Sequence, residues 1–211
     1  MGYTVAMSEA LKLPTFEELY RQLRALPPNR NGEIVGGELI TSPRPAIPHM
    51  SIGTSLSAEL RIRFRRGRGG GAPPTGWWIL GEPELHLSAR GQTHVLSPDI
   101  AGWKRERMPM VPTVAYTELT PDWVCEILSP STESFDRKAK ARLYLEAGVT
   151  WLWLVSPRAR TVEAYRREGA FWMQLGVWTD EDVAAIEPFQ EFELELWQWW
   201  DGLPQEESKD T

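Results

Sequence analysis

The chain predicts an α/β fold, a central mixed β-sheet flanked by helices. Early in the chain, apolar residues recur at helical spacing, at Phe16, Leu19 and Leu23 and again at Ile52, Leu56 and Leu60. From Trp77 the apolar period shortens to that of strands. A strand, a helix and a second strand then follow closely between Trp123 and Val155, the arrangement that sets two strands parallel.

Each element has a local cause. Residues 1–13 read as a flexible leader, 14–203 as a single domain, and the polar, acidic run 204–211 as a disordered tail. Thr15 caps a first helix, Glu18 three places on completes a capping box, and Pro27-Pro28 ends the helix. Strands follow at Glu33–Val35 and Glu38–Thr41, joined through Gly36-Gly37. A second helix is expected from Pro48 to Arg66, with Ile52, Leu56, Leu60 and Phe64 on its core face and a glycine-rich loop after it. Strands are then expected at Trp77–Leu80, Glu84–Leu87, His94–Leu96, Asp99–Trp103 and Trp123–Leu128. A third helix, Ser134–Ala147, packs through Phe135, Ala139, Leu143 and Ala147 and ends at Gly148. Strand Trp151–Val155 and a hairpin of Thr161–Arg166 with Phe171–Val177 complete the order.

Composition narrows the functional classes. Hydrophobic residues at 42% and charged residues at 25% are ordinary for a soluble globular protein. No apolar run reaches membrane-spanning length and no secretory pattern opens the chain, so the expected partners exclude a membrane and the expected location is cytoplasmic. Cys125 is the only cysteine, which rules out an intrachain disulfide. It sits in an apolar strand, where it reads as a small core residue. The net charge of -6 argues mildly against coating nucleic acid by bulk charge. Locally, Arg61, Arg65 and Arg68 share one stripe at the end of the second helix; phosphate contact and a solvated face both fit them. Eleven tryptophans favour large aromatic burial or an aromatic contact surface.

Two acids stand in apolar strand runs, Asp99 after Pro98 and Glu126 within Trp123–Leu128. An unpaired charge there is costly, so a counter-charge is expected, and a divalent cation is the leading candidate. Strand alternation puts Glu126 on one face with Val124 and Leu128. If the two strands are neighbours, both carboxylates reach one hard cation such as magnesium, which binds through one or two carboxylates and accepts phosphate oxygens. Such a metal activates water and stabilises charge on a phosphodiester. Asp136 and Lys140, four apart on the third helix, share a stripe with Tyr144, and a lysine there is placed to assist an attacking water.

At these residues the chain resembles a known family. Pro98-Asp99, Glu126-Ile127-Leu128-Ser129-Pro130-Ser131-Thr132, Asp136-Arg137-Lys138-Ala139-Lys140, Tyr144, Ala147-Gly148-Val149 and Trp151 look like the Uma-type (Uma-two) family of restriction-endonuclease-like proteins, in the PD-(D/E)XK nuclease superfamily. Gly37-Glu38-Leu39, Ser42-Pro43 and His49 also match its N-terminal half. The resemblance implies a restriction-endonuclease-like fold and cleavage of DNA phosphodiesters with Mg2+ or Mn2+, with Asp99 and Glu126 on the two metal-binding acids. The superfamily's lysine stands two places after the second acid, where this chain has Leu128; the family match moves it to the third helix, to Lys140, with Lys138 in reserve. Glu82 is a further candidate acid, Glu38, His49 and Asp136 are candidate pocket residues, and a homodimer is expected from superfamily habit.

Plainer roles stand beside these. Asp99 also fits a turn cap, Glu126 a core acid paired with an arginine, His49 a capping or solvent residue, and Asp136–Lys140 an exposed helical pair worth roughly 0.3–0.5 kcal/mol. A non-catalytic binding or assembly module on the same fold, and a phosphoesterase of small nucleotides, are the functional alternatives.

Overall fold

The structure is a computed structural model that describes residues 13–64 and 76–203. The expected leader up to residue 12, the glycine-rich loop with Arg65 and Arg68, and the acidic tail lie outside the described residues.

The first helix, α1 (Phe16–Arg24), has the expected capping box: Thr15 accepts from Glu18 N–H, and Glu18 Oε2 accepts from Thr15 N–H at 2.7 Å. Strands β1 (Arg30–Val35) and β2 (Glu38–Pro43) form an antiparallel hairpin. Its turn needs positive φ at two successive positions, supplied by Gly36 and Gly37. Helix α2 (Ile47–Phe64) buries Ile52, Leu56, Leu60 and Phe64, the predicted stripe.

Six strands make the central mixed sheet, in the order β11 (Phe171–Thr179), β10 (Thr161–Glu168), β9 (Trp151–Ser156), β8 (Trp123–Ile127), β6 (Ile100–Lys104) and β3 (Trp77–Gly81). Within this sheet only β8 and β9 pair in parallel, joined by a helical crossover as predicted. The fold class stands, but the strands divide between two sheets. Strands β4 (Glu84–Ala89), β5 (Gln92–Leu96) and β7 (Tyr116–Thr117) join β1 and β2 in a five-stranded sheet ordered β2-β1-β5-β4-β7. The short strands β12 (Val183–Ala184) and β13 (Leu194–Glu195) pair with each other, and α5 (Trp197–Trp200) follows.

Alternation along the central sheet sends side chains to two separate cores. On one face α2 and α5 cover Trp77, Trp123, Cys125, Trp153, Ile100 and Phe189. On the other, Ala101, Val124, Leu128, Leu152 and Leu154 meet Leu85, Leu87 and Leu96 of the second sheet and Leu143 and Tyr144 of the crossover. Burial accounts for most of the tryptophan signal: Trp103, Trp123, Trp153 and Trp199 are among the largest fully buried side chains. The crossover itself is not the simple α-helix expected. A single turn α3 (Glu133–Phe135) passes into a π-helical turn, Asp136–Lys140, before α4 (Ala141–Ala147) resumes and stops at the left-handed Gly148.

Candidate functional site

Asp99 and Glu126 lie beside one another because of strand register. The β6–β8 ladder pairs Ile100 with Cys125 in antiparallel sense. One step further along places Asp99 opposite Glu126, with both side chains on the face toward the second sheet. Asp99 Oδ2 accepts from Ile127 N–H at 2.6 Å, continuing the ladder with a carboxylate where the backbone pairing ends. Oδ1 contacts His49 Nε2 at 2.7 Å, and His49 stands in the first turn of α2. Asp99 is therefore neither a turn cap nor free, and His49 is neither a cap nor a solvent residue.

Glu126 is 2% exposed. Its Oε1 accepts from Tyr144 Oη at 2.6 Å and pairs with Lys140 Nζ at 2.9 Å. No arginine neutralises it among the described residues; its partner is the lysine of the crossover. Lys140 also reaches Glu33 Oε1 at 3.1 Å and Asp136 Oδ1 at 3.5 Å. The π turn makes this possible. Its wider winding, with Ala141 N–H reaching back to Asp136 O, turns both Asp136 and Lys140 inward, and π turns recur at functional sites. The exposed-pair alternative for Asp136–Lys140 thus fails: both are about 4% exposed.

The electrostatics follow from burial and from an excess of acid. Burial pushes the Glu126 carboxyl well above the usual range; Lys140 opposes this, while Asp136, Asp99 and Glu33 add to it. Burial likewise raises Asp136 against the pull of Lys140. Lys140 loses hydration too, but Glu126 and Glu33 hold its pKa well above the ordinary value, so it remains an ammonium. Burial and the neighbouring Glu126 raise the Tyr144 hydroxyl, which stays a donor. Acids that hold protons tightly beside an ammonium that does the same mark a site short of positive charge.

Glu33, His49, Asp99, Glu126, Asp136 and Lys140 line one cleft of about 830 Å³ between the hairpin of β1 and β2 and the ends of β6 and β8, with Tyr144 buried behind it. Glu82 lines it too: its N–H donates to Asp99 O at 2.9 Å, while the residue itself is exposed at a φ of 46°. Glu38 and Lys138 do not take part. Glu38 is exposed at the tip of the hairpin, and Lys138 points from the far side of the π turn into another groove. Arg61 is exposed near the end of α2 and outside the cleft lining. The arginines that line the cleft are instead Arg24, Arg30 and Arg44.

Glu33 is the acid that sequence reasoning missed. The sequence predicts a strand there, but nothing local distinguishes Glu33 from the exposed Glu38 nearby. In the fold Glu33 Oε1 accepts from Ser97 N–H at 2.8 Å and receives Lys140, linking β1 to both halves of the site.

Among the described residues no group of three or more His, Cys, Asp and Glu side chains has metal-binding geometry. A two-carboxylate site is what remains. Magnesium accepts such a site when water completes its shell, and Glu126 makes its bonds through Oε1 alone, leaving Oε2 for a further ligand. The donor set and the shortage of positive charge both fit a hard divalent cation.

Comparison with known proteins identifies the family and the fold. Residues 15–197 match the model of the family described as "Uma2: Putative restriction endonuclease". No curated protein matches the chain. Among solved structures, the crystal structure of "a putative nuclease belonging to DUF820" from Anabaena variabilis superimposes with a TM-score of 0.65 at 22% identity, covering 86% of this chain and 98% of that one. At that identity the likeness speaks for the fold alone.

Proposed function

The chain belongs to the Uma2 family, and we propose that it is a nuclease that hydrolyses DNA phosphodiester bonds with magnesium or manganese. The observation that carries this reading is the placement of Asp99 and Glu126 across one strand ladder, in one cleft, with the Lys140 ammonium on Glu126. The two carboxylates would hold the ion. When bound, such an ion lowers the pKa of a coordinated water and stabilises charge on a phosphoryl oxygen.

The chain's own residues supply orientation and charge. His49 and Ile127 N–H fix the Asp99 carboxylate from two sides, and Tyr144 fixes Glu126. Glu33 and Asp136 hold Lys140 at the edge of the pair, where its protons can orient an attacking water and offset charge developing on the phosphate. Arg24, Arg30 and Arg44 in the cleft lining are suited to phosphates of an incoming strand.

Conversion of supercoiled plasmid to nicked or linear forms in Mg2+ or Mn2+ tests the proposal. Wild type is expected to convert it, and Asp99→Asn and Glu126→Gln to lose the activity. Failure of wild type to cut DNA while turning over small nucleotides would replace the nuclease by a phosphoesterase. Failure with both substrates would leave a binding module.

A further inference from the structure

The groove that receives Lys138 has a composition the cleft does not explain. It runs between the back of the crossover helix and the tip of the β10–β11 hairpin, and measures about 660 Å³. Trp172 Nε1 donates to Ala141 O at 2.9 Å and fastens the hairpin to the helix, so the groove has a fixed wall. Four cations line it, Arg137, Lys138, Arg142 and Arg167, against the single carboxylate of Glu146.

Neighbouring acids satisfy half of these cations. Arg137 is taken by Glu133 and Glu163, and Arg142 shares Glu146 with Arg90. Lys138 and Arg167 are exposed and make no ion pair among the described residues. Beside them Phe171 is 62% exposed at the hairpin tip. On a chain of net charge -6, two unpaired cations beside an exposed phenyl ring form a local positive site with an aromatic face.

We propose that this groove binds a single nucleic-acid strand, with phosphates on Lys138 and Arg167 and an unstacked base on Phe171. A single strand is favoured over a duplex because a paired base offers no free face to the ring, whereas an unpaired base gains from stacking. The groove lies on the opposite side of the helix that carries Asp136 and Lys140, so it is a second contact surface, separate from the cleft. The class of ligand rests on the nuclease reading; binding itself needs neither metal nor cleavage.

Fluorescence anisotropy of labelled oligo-dT, in EDTA and across a salt series, tests it. Lys138→Ala/Arg167→Ala is expected to weaken binding by about tenfold and to flatten the slope of log K against log salt by about 1.4, two contacts at about 0.7 each. Phe171→Ala is expected to weaken binding by about fivefold or more. Absence of oligo-dT binding by wild type, or groove variants that bind with unchanged affinity and slope, overturns the proposal. So does polyglutamate competing as well as oligo-dT with Phe171→Ala without effect, since that describes a plain anion surface. If plasmid is never cut yet the groove variants lose oligo-dT, the nuclease reading fails and the groove stands.

Discussion

Replacing Lys140 by methionine removes the one ammonium that, among the described residues, balances the buried acids, and the structure sets the size of the effect. Nζ stands 2.9 Å from Glu126, 3.1 Å from Glu33 and 3.5 Å from Asp136, with the side chain 5% exposed. Breaking a buried pair by removing one partner costs about 3–5 kcal/mol. The lower end applies here, because Glu126 already holds protons tightly and can neutralise itself when its partner is gone. A loss of about 3 kcal/mol, with a urea slope of about 2 kcal/mol/M, moves the unfolding midpoint down by about 1.5 M. Tryptophan fluorescence in urea with EDTA at about pH 7.5 reads this directly, since Trp123 and Trp153 are fully buried. The sign with pH is fixed as well. A carboxyl whose folded pKa is raised binds its proton more tightly in the folded state, so its stabilisation is present at low pH and lost as pH rises through the folded value. The variant's deficit should therefore shrink toward about pH 5. Adding Glu126→Gln to Lys140→Met should recover part of the loss. A midpoint shift below about 0.3 M, or a deficit that grows on acidification, would refute the buried-charge account.

Three further outcomes follow from particular contacts. Glu33→Gln loosens the hold on Lys140 without emptying the cleft; kcat for plasmid cleavage should fall about tenfold with KM little changed, while unchanged kcat would remove Glu33 from the positioning set. The Arg137 guanidinium beside Glu163 holds its carboxyl below the usual range, so this stabilisation is full above about pH 4.3 and is lost as pH falls through the lower folded pKa. Arg137→Ala should accordingly flatten the acid limb of a stability–pH curve, and an unaltered limb would contradict the pairing. A Cβ at Gly102 would meet Trp123 at 3.0 Å and Ile79 and Trp77 at 3.2 Å; Gly102→Ala should cost about 1–3 kcal/mol and lower Tm by several degrees, and an unchanged Tm would show slack the packing does not have.

Local rules carried much of the fold. The capping box at Thr15, the four-residue stripe of α2 and the strand–helix–strand unit depend on near neighbours, and each forms as the sequence implies. Asp99 and Glu126 were legible because a charge inside an apolar strand needs an explanation wherever the strand lies. What escaped prediction depends on tertiary packing. The second sheet exists because the β1–β2 hairpin meets β5, a long-range pairing without local signature, and that sheet brings Glu33 to Lys140 while leaving Glu38 outside. The π turn likewise has no helical periodicity of its own; it is recognisable only because Asp136 and Lys140 both end up buried. The arginines of the cleft, Arg24, Arg30 and Arg44, come from scattered positions with no common local signal, and Arg61 is not among the lining residues.

Crystals soaked in manganese test the central claim most directly. An anomalous peak touching both Asp99 and Glu126, with Lys140 Nζ displaced from Glu126 Oε1 or retained beside the ion, is the expected result. A cleft without such a peak at saturating manganese, the lysine still seated among the acids, would mean that the ammonium is the only counter-charge these carboxylates take.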